Sequence, residues 1–529
     1  MEEVRKAPGG EAQTHMTEGS VQKVEVPHGE SKTHLTEETV RKLGEVPQGE
    51  AKSHLTEDSV QKDEEVPQDT AQTNLMEKST QEVSEVPQGA AKTHLTNKIG
   101  QEEGEAPQDA ARTILTEESV RKTLEIDKGS EAQLLSWQIK NFTKKGDNYA
   151  CEVTSVVVQY AVDGVPREKT YVAKMNRVYG SGQFLGMMQT YFVREGTCYL
   201  EIFPRMSEIL ERYGHHGIRI PKAYYGSYEK GKEVLLLEDL RAKGFRMYDR
   251  RRGLDVPHAT LVLQELGRMH AASILLERSL PNRSLNKTWD VFSEPWLEDE
   301  NVRKMFQSMV SNQLEGAAEI VEKVPNYEHV VKWIRNIKDE AVETYFDSLL
   351  TLNTKFSVLI HGDCWTNNFL FRYDAAGVPI EVMLVDLQYM RQVSPVLDLN
   401  YFLYSSFDGH DRKTNFQAFL STYYDSFKSV LEAGGAPVPF TYEELRREFN
   451  DNMMFGCLSA IFLVPTALSE DDDVVRLEDI TDDNMDTFSK DRQQKFVRMS
   501  QRAGSALKDR LLDTFEDMIE AEIICERHK

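Results

Sequence analysis

A short polar segment and an acidic strand end carry the most specific chemistry in this chain. Residues 361–368 read His-Gly-Asp-Cys-Trp-Thr-Asn-Asn, which places Asp363 five positions before Asn368. A further aspartate, Asp386, ends an apolar run. In phosphoryl transfer, one Asp orients and deprotonates the attacking hydroxyl, while an Asn and a second Asp hold the magnesium that bridges the nucleotide phosphates. The pattern predicts an ATP-dependent kinase.

The residues between these motifs predict how they meet. An aromatic-rich run, a turn signal at 374–377 and a second strand-like run separate Asn368 from Asp386. Folding this hairpin returns Asp386 to within a residue or two of Asn368, so two hard oxygen ligands converge beside Asp363. Magnesium needs few protein ligands, because waters and phosphate oxygens supply the rest. We therefore predict Asn368 and Asp386 as metal ligands and Asp363 as the catalytic base.

At these residues the chain resembles the ecdysteroid kinase-like group, a relative of choline kinases and aminoglycoside phosphotransferases with a protein-kinase-like fold. The family pattern His-Gly-Asp-x-Trp-x-x-Asn is complete at 361–368, and Asp-Leu-Gln at 386–388 matches the family's Asp-Phe-Gln except for the Leu. Residues 394–399 look like the family's Ser-Pro-x-x-Asp-Leu, which opens a helix under the catalytic loop. The resemblance covers roughly residues 135–520 and implies that Asp398 braces the catalytic loop by accepting hydrogen bonds.

The upstream half of the chain has the element order of a kinase small lobe. Strands expected at 153–162 and 170–173 flank a polar turn, and Lys174 closes the second strand, where a lysine would pair with the nucleotide phosphates. A helix expected over 189–213 carries Glu195 in the family's Glu-x-x-x-Tyr pattern, so Glu195 is the predicted partner of Lys174. Two other carboxylates of that helix stay open as substitutes: Glu201 and Glu208.

Two further segments are assigned to the nucleotide by the resemblance. Residues 146–150, Gly-Asp-Asn-Tyr-Ala, resemble the family's phosphate-covering turn, where backbone N–H groups meet phosphate oxygens, so we expect Gly146 and Asn148 to act there. The apolar strand at 234–240 ends in acidic residues and looks like the hinge between the lobes. The hinge residues whose backbone would bind adenine are Leu237, Glu238 and Asp239.

The spacing after the second metal aspartate argues against a protein kinase. Only twelve positions separate Asp386 from Asp398, too few for the activation segment that docks a peptide, and no Ala-Pro-Glu follows. We therefore expect a small-molecule acceptor, bound by extra helices of the large lobe at about 285–350 and 405–465. The resemblance implies a steroid-like alcohol such as an ecdysteroid, or a xenobiotic.

Two other functions stay open. A choline- or ethanolamine-type kinase would need anionic or aromatic residues around a cationic head group. A catalytically silent relative would instead act as an interaction protein through its N-terminal repeats. Trp365 and Tyr389 lie next to the catalytic positions, and they either line an apolar acceptor site or pack in the core.

Residues 1–130 differ in kind from the rest. They contain no Phe, Trp, Tyr or Cys, and a proline recurs every twenty residues, at Pro27, Pro47, Pro67, Pro87 and Pro107. A typical unit offers about three apolar side chains, too few to offset the ordering entropy of twenty residues. We expect a disordered acidic repeat tail, a candidate segment for a protein partner, followed by a small lobe at 131–240 and a large lobe at 241–529.

The net charge and the cysteine content limit the kinds of partner and the cellular compartment that we expect for this chain. The chain has 63 basic and 87 acidic residues, a net charge of −24, which argues against binding to nucleic acid or an anionic membrane. Its five cysteines lack metal spacing, its longest apolar run is too short for a bilayer, and it starts without a signal peptide. We expect a cytoplasmic α+β protein with a two-lobed protein-kinase-like fold, a small β-rich lobe, a larger helical lobe, and ATP and Mg²⁺ as cofactors.

Overall fold

The computed structural model describes residues 114–142, 151–176, 183–294, 299–350, 355–470, 473 and 484–525. These residues form a small lobe built on one antiparallel sheet and a larger, mainly helical lobe, so the predicted α+β kinase-like fold is confirmed. The predicted phosphate-covering turn, with Gly146 and Asn148, lies outside the described residues. So do residues 1–113 of the predicted tail.

The small lobe is a five-stranded antiparallel sheet with the strand order β1-β2-β3-β5-β4. Its strands are β1 (Gln133–Asn141), β2 (Glu152–Val162), β3 (Val165–Met175), β4 (Ala223–Ser227) and β5 (Val234–Glu238). β2 and β3 are joined by a two-residue turn in which Asp163 and Gly164 both have positive φ, a geometry that matches the twist of paired strands. β5 runs beside β3 and pairs Leu235 with Lys174, which places the lysine at the centre of the sheet.

A long helical segment connects the central strand β3 to the edge strand β4 and faces the large lobe. Helix α2 (Gln183–Thr197) passes through a π-helical turn (Cys198–Ile202) into α3 (Phe203–Arg212). The segment begins at 183 rather than at the predicted 189. Glu195 is 1% exposed near the end of α2, so this helix carries a carboxylate into the interior.

Helix α1 (Glu117–Lys128) precedes the sheet and packs against it. Val120 is 1% exposed and Leu124 is fully buried, in one apolar cluster with the strand residue Tyr171. The Tyr171 hydroxyl also donates a hydrogen bond to Asp127 Oδ2 at 2.8 Å. This helix is therefore part of the folded small lobe.

The position of α1 corrects the predicted domain boundary. A capping box starts the helix: Thr116 Oγ1 accepts the Ser119 N–H, and the Ser119 side chain accepts the Thr116 N–H, both at 3.2 Å. The prediction that a disordered tail extends to residue 130 is wrong for residues 114–130. This segment buries Ile114, Leu115, Val120 and Leu124 in the apolar cluster of the sheet, and that burial offsets the entropy of ordering it.

The large lobe is mainly helical. Its helices are α4 (Val256–Ser279), α5 (Leu285–Thr288), α6 (Glu300–Val321), α7 (Glu328–Ile337), α8 (Ala341–Leu350), α9 (Val396–Ser406), α10 (Gly409–Ala433), α11 (Tyr442–Asp451), α12 (Met453–Ala467), α13 (Met485–Ser500) and α14 (Ala506–Glu520). Helix α9 starts one residue after Pro395, and Ser394 makes no side-chain cap for it. No helix among the described residues is long and apolar enough to cross a membrane.

Two small sheets lie in the large lobe. The strands of the first, in the order β6-β8-β9, are β6 (Arg246–Met247), β8 (Phe369–Tyr373) and β9 (Pro379–Leu384). The second pairs β7 (Val358–Ile360) with β10 (Arg391–Val393). The segments that follow β7 and β9 hold the residues expected to carry the chemistry.

Candidate functional site

The loop after β7 holds Asp363 between two donors. Its Oδ1 accepts the hydroxyl of Tyr401 at 2.7 Å, and its Oδ2 accepts Asn368 Nδ2 at 2.8 Å. Desolvation by the surrounding protein, followed by the nearby charge of Asp386, raises the pKa of Asp363 to about 7, although these hydrogen bonds oppose the shift. A carboxylate with a pKa near neutral pH can accept a proton and release it again.

The backbone of this loop is fixed from below by a buried aspartate. Asp398, at the start of α9, accepts the N–H groups of His361 at 2.7 Å and Gly362 at 2.8 Å. His270 Nε2 lies 3.1 Å from the same carboxylate, so this buried histidine helps to hold Asp398 in place. Gly362 has a φ of 82°, and a Cβ there would collide with the backbone oxygen of Tyr389. The Gly of the motif is therefore required by space as well as by conformation.

The β8–β9 hairpin brings Asp386 beside Asn368, in the predicted register. Val385 donates its N–H to the Asn368 carbonyl at 3.0 Å, one residue before Asp386. Asn368 uses its Nδ2 on the backbone and side chain of Asp363, and no described residue donates to its Oδ1. Asp386 has φ 66° and ψ 66°, a left-handed conformation that is uncommon for Asp. Such strain is typical of residues whose position is set by function.

Lys174 joins the two lobes through two carboxylates. Its Nζ lies 2.9 Å from Glu195 Oε1 and 2.6 Å from Asp386 Oδ1. Burial alone would lower the pKa of Lys174, but the charges of Asp386 and Glu195 outweigh it and hold that pKa well above its ordinary value. Glu201 and Glu208 are exposed, so the lysine is paired with Glu195 and with neither substitute.

The expected hinge follows β5 and lines the same cavity. Glu238 donates its N–H to the Lys222 carbonyl at 2.8 Å, so this donor is already used within the sheet. The Asp239 side chain binds Arg241 at 2.8 Å and caps the short 3₁₀ turn that begins at Leu240. An adenine contact from this segment would therefore come from hinge groups other than the Glu238 N–H.

These residues border one cavity of about 650 Å³ between the lobes. We call its polar end the charged floor, which comprises Lys174, Glu195, Asp363, Asn368 and Asp386. We call a set of its apolar lining residues the apolar wall, which comprises Phe306, Met309, Tyr345, Leu349, Tyr389 and Phe462. The predicted ranges 285–350 and 405–465 both contribute to the cavity, and α13 contributes as well, which the sequence did not indicate. Trp365 and Tyr389 both border it.

Three residues at the cavity were not found from the sequence. Tyr401 lies one helical turn after Asp398, so the i, i+3 rule could have placed it beneath the catalytic loop. Asn367 is buried, and its side-chain amide has no hydrogen-bond partner among the described residues. Arg391 is also buried at the cavity. No local spacing distinguishes the last two from ordinary loop residues.

Solved structures of two small-molecule kinases resemble this chain weakly. An ethanolamine kinase of Plasmodium vivax is 10% identical with a TM-score of 0.34, covering 77% of this chain and 97% of that one. A choline kinase of Cryptosporidium parvum is 12% identical with a TM-score of 0.36, covering 73% and 91%. At these TM-scores we draw no inference from either.

Sequence comparison is more specific. An uncharacterized kinase-like protein of Caenorhabditis elegans is 21% identical over 253 residues, which are 46% of this chain and 60% of that protein. The chain thus spans about three fifths of the length of that relative. The sequence pattern of the ecdysteroid kinase-like family matches residues 145–435, just over half of the 529 residues. The chain belongs to the ecdysteroid kinase-like family.

Proposed function

We propose that this protein is an ATP- and Mg²⁺-dependent phosphotransferase that moves a γ-phosphoryl group to a hydroxyl of a largely apolar small molecule. One observation carries the proposal: Lys174 contacts Glu195 and Asp386 at once, while Asp386 lies beside Asn368 and Asp363 at the polar end of the cavity. A lysine for phosphates, two oxygen ligands for a metal and a carboxylate base are the parts that phosphoryl transfer to an alcohol requires.

The charged floor fits a magnesium-bound nucleotide. Because Asn368 commits its Nδ2 to Asp363, its Oδ1 is the amide atom left to face a cation. The Asp386 side chain is 28% exposed and adds a second hard oxygen, the ligand type that Mg²⁺ prefers. When bound, the ion would neutralise the charge that develops on the phosphoryl oxygens. Lys174, kept protonated by its two carboxylates, would hold the nucleotide phosphates.

Asp363 is the group that would receive the proton of the acceptor hydroxyl. Tyr401 and Asn368 fix its two oxygens, so the carboxylate cannot rotate away from the cavity without losing both hydrogen bonds. Hydrogen bonds to a charged group are worth about 1.5–3 kcal/mol each, enough to select one orientation. The base would therefore be oriented before an acceptor arrives.

The cavity lining favours an apolar acceptor over choline or ethanolamine. Among the described lining residues, Asp473 is the one carboxylate apart from those of the floor and the hinge, and Arg502 binds its Oδ1 at 2.6 Å. A quaternary ammonium could stack on the aromatic rings of the apolar wall but would meet no free carboxylate there, so its charge would be only partly balanced. A steroid-like alcohol or an apolar xenobiotic would instead bury its rings against the aromatic side chains.

The first test is Mg-ATP consumption by the purified protein with a panel of ecdysteroids, other sterols, phenolic glycosides, choline and ethanolamine. The Asp363→Asn variant is the blank. We expect phosphorylation within the sterol or phenolic groups and none of choline. Turnover of choline alone would reject the apolar acceptor. If neither turnover nor stabilisation by ATP against heat occurs, the catalytically silent interaction protein becomes the leading hypothesis.

A further inference from the structure

Arg241 ties the hinge to the small-lobe sheet at the edge of the cavity. Its Nε and Nη2 lie 2.9 and 2.8 Å from the two carboxylate oxygens of Asp239. Nη2 also donates to Ser155 Oγ on β2 at 2.7 Å. The guanidinium lies over the ring of Phe142, with its central carbon 4.0 Å from the ring centroid. The hinge, β2 and the residue after β1 therefore hold one cation in place.

This cation is open to a ligand. The Arg241 side chain is 46% exposed, whereas the side chain of its partner Asp239 is 5% exposed, and Arg241 and Phe142 both line the cavity. The Nε and Nη2 of Arg241 are occupied, and no described residue accepts a hydrogen bond from its Nη1. A molecule in the cavity can therefore reach the edge of the guanidinium that carries Nη1 and the face turned away from Phe142.

The register of the sheet places Arg241 away from the phosphate end of the site. Lys174, which we expect at the phosphates, lies on β3. Two positions earlier on that strand, Val172 pairs with Ser155 on one side and with the hinge residue Leu237 on the other. Two residues of a β-strand span about 7 Å. Because Arg241 is anchored on Ser155, it lies in the row of Val172, toward the hinge, where the nucleoside of a nucleotide would extend.

We propose that Arg241 is a nucleotide-contacting residue that binds the nucleoside end of the nucleotide whose phosphates lie at Lys174. The inference rests on the proposed function and adds one contact to it. The Nη1–H donates to an acceptor atom of the base or the ribose, and the open face of the guanidinium packs on the planar base. The backbone N–H of Glu238 is already bound to the Lys222 carbonyl, so Arg241 supplies a donor beside the hinge that this backbone group does not.

Four variants separate this contact from a purely structural link between hinge and sheet. Arg241→Met removes the guanidinium. Arg241→Lys loses the planar fork but keeps a cation beside Asp239, so it tests the contact even if Arg241→Met does not fold. Ser155→Ala removes the link to β2 and leaves Arg241 in the cavity. Lys243→Met is the matched control, because Lys243 binds the other hinge carboxylate, Glu238, at 2.7 Å but does not belong to the described lining of the cavity.

The measurement is displacement of a fluorescent ATP analogue, in the presence of Mg²⁺, by ATP and by inorganic tripolyphosphate. Tripolyphosphate has the phosphates alone, so the Kd for tripolyphosphate divided by the Kd for ATP reports what the nucleoside contributes. We expect Arg241→Met to lower this ratio by about tenfold or more, the value of one hydrogen bond to a charged group. Arg241→Lys should lower it by a smaller factor. Ser155→Ala and Lys243→Met should change it by no more than about twofold.

Three results would overturn the inference: equal affinity of the wild type for ATP and tripolyphosphate, an unchanged ratio in both Arg241 variants, or an equal fall of the ratio in Ser155→Ala or Lys243→Met. A parallel assay of phosphate transfer from Mg-ATP to the acceptor panel separates the two proposals. A lowered ratio in the Arg241 variants, without transfer by the wild type, would support the contact and reject the proposed function. Transfer by the wild type with an unchanged ratio in those variants would do the reverse.

Discussion

The charged floor and the apolar wall of one cavity are built in different ways. The floor takes three of its five residues from a single stretch, 363–386, whose hairpin sets their spacing. The wall is drawn from helices α6, α8 and α12 and from the turn at Tyr389, and its side chains share an apolar surface and no motif. The floor is specified by short-range geometry and the wall by long-range packing. We expect a substitution in the floor to change kcat or kcat/KM for ATP, and a substitution in the wall to change the KM for the acceptor.

The largest expected effect is at the floor. Asp363→Asn keeps the shape and the hydrogen bond to Tyr401 but removes the base, so we expect kcat to fall by about a thousandfold with ATP binding unchanged. Single-turnover phosphate transfer and ATP-induced thermal stabilisation measure the two properties. The control is Asp374→Asn, in the turn of the same hairpin, which should leave both phosphate transfer and ATP binding unchanged. Residual activity within tenfold of the wild type would show that Asp363 is not the base.

Lys174→Met should impair the use of ATP, whereas Asp363→Asn removes the catalytic base. Asp386 and Glu195 would lose their shared cation, and the nucleotide phosphates would lose theirs, so we expect kcat/KM for ATP to fall by about a hundredfold. Steady-state kinetics with varied ATP measures this loss. Lys169→Met, on the same strand, should change it less than twofold. An unchanged kcat/KM for ATP would show that the nucleotide phosphates do not bind at Lys174.

At the wall, Leu349→Ala should affect the acceptor alone. Removing a side chain that the acceptor covers costs about 1.5–3 kcal/mol of contact, which predicts a rise in acceptor KM of roughly tenfold or more with the constant for ATP unchanged. The control is Leu350→Ala, whose side chain is 44% exposed. If Leu349→Ala instead lowered kcat/KM for ATP, the division of the cavity into two halves would be refuted.

Helix α1 should contribute stability and no catalysis. Leu124→Ala removes a fully buried side chain, so we expect the free energy of unfolding to fall by about 2–5 kcal/mol, while activity per folded molecule stays the same. Urea unfolding measures the free energy of unfolding, and a separate assay at low temperature measures the activity per folded molecule. Ile126→Ala, on the exposed face with 55% exposure, should cost little. Loss of less than 1 kcal/mol at Leu124 would mean that the helix docks only weakly.

These contrasts explain what the sequence could predict. The register of Asn368 and Asp386 followed from a turn signal of a few residues, because a hairpin fixes which residues face each other. The pairing of Arg391 with Glu294 joins residues 97 positions apart, so no spacing rule could reveal it. The sequence places helix α1 in the tail because most of it matches a repeat unit, whereas its contact with Tyr171, far along the chain, is visible only in the structure.

The last repeat unit has become part of a lobe by very few changes. Residues 115–122 differ from 35–42 at one position, Ser for Thr. Further along the unit, Leu124 takes the place of Gly44 and Asp127 takes the place of Pro47, and every earlier unit has proline at that last position. Within a helix, proline costs about 3 kcal/mol and glycine about 1 kcal/mol relative to alanine. A copy of residues 35–47 in place of the final unit would therefore put a glycine and a proline inside helix α1 and destabilise it.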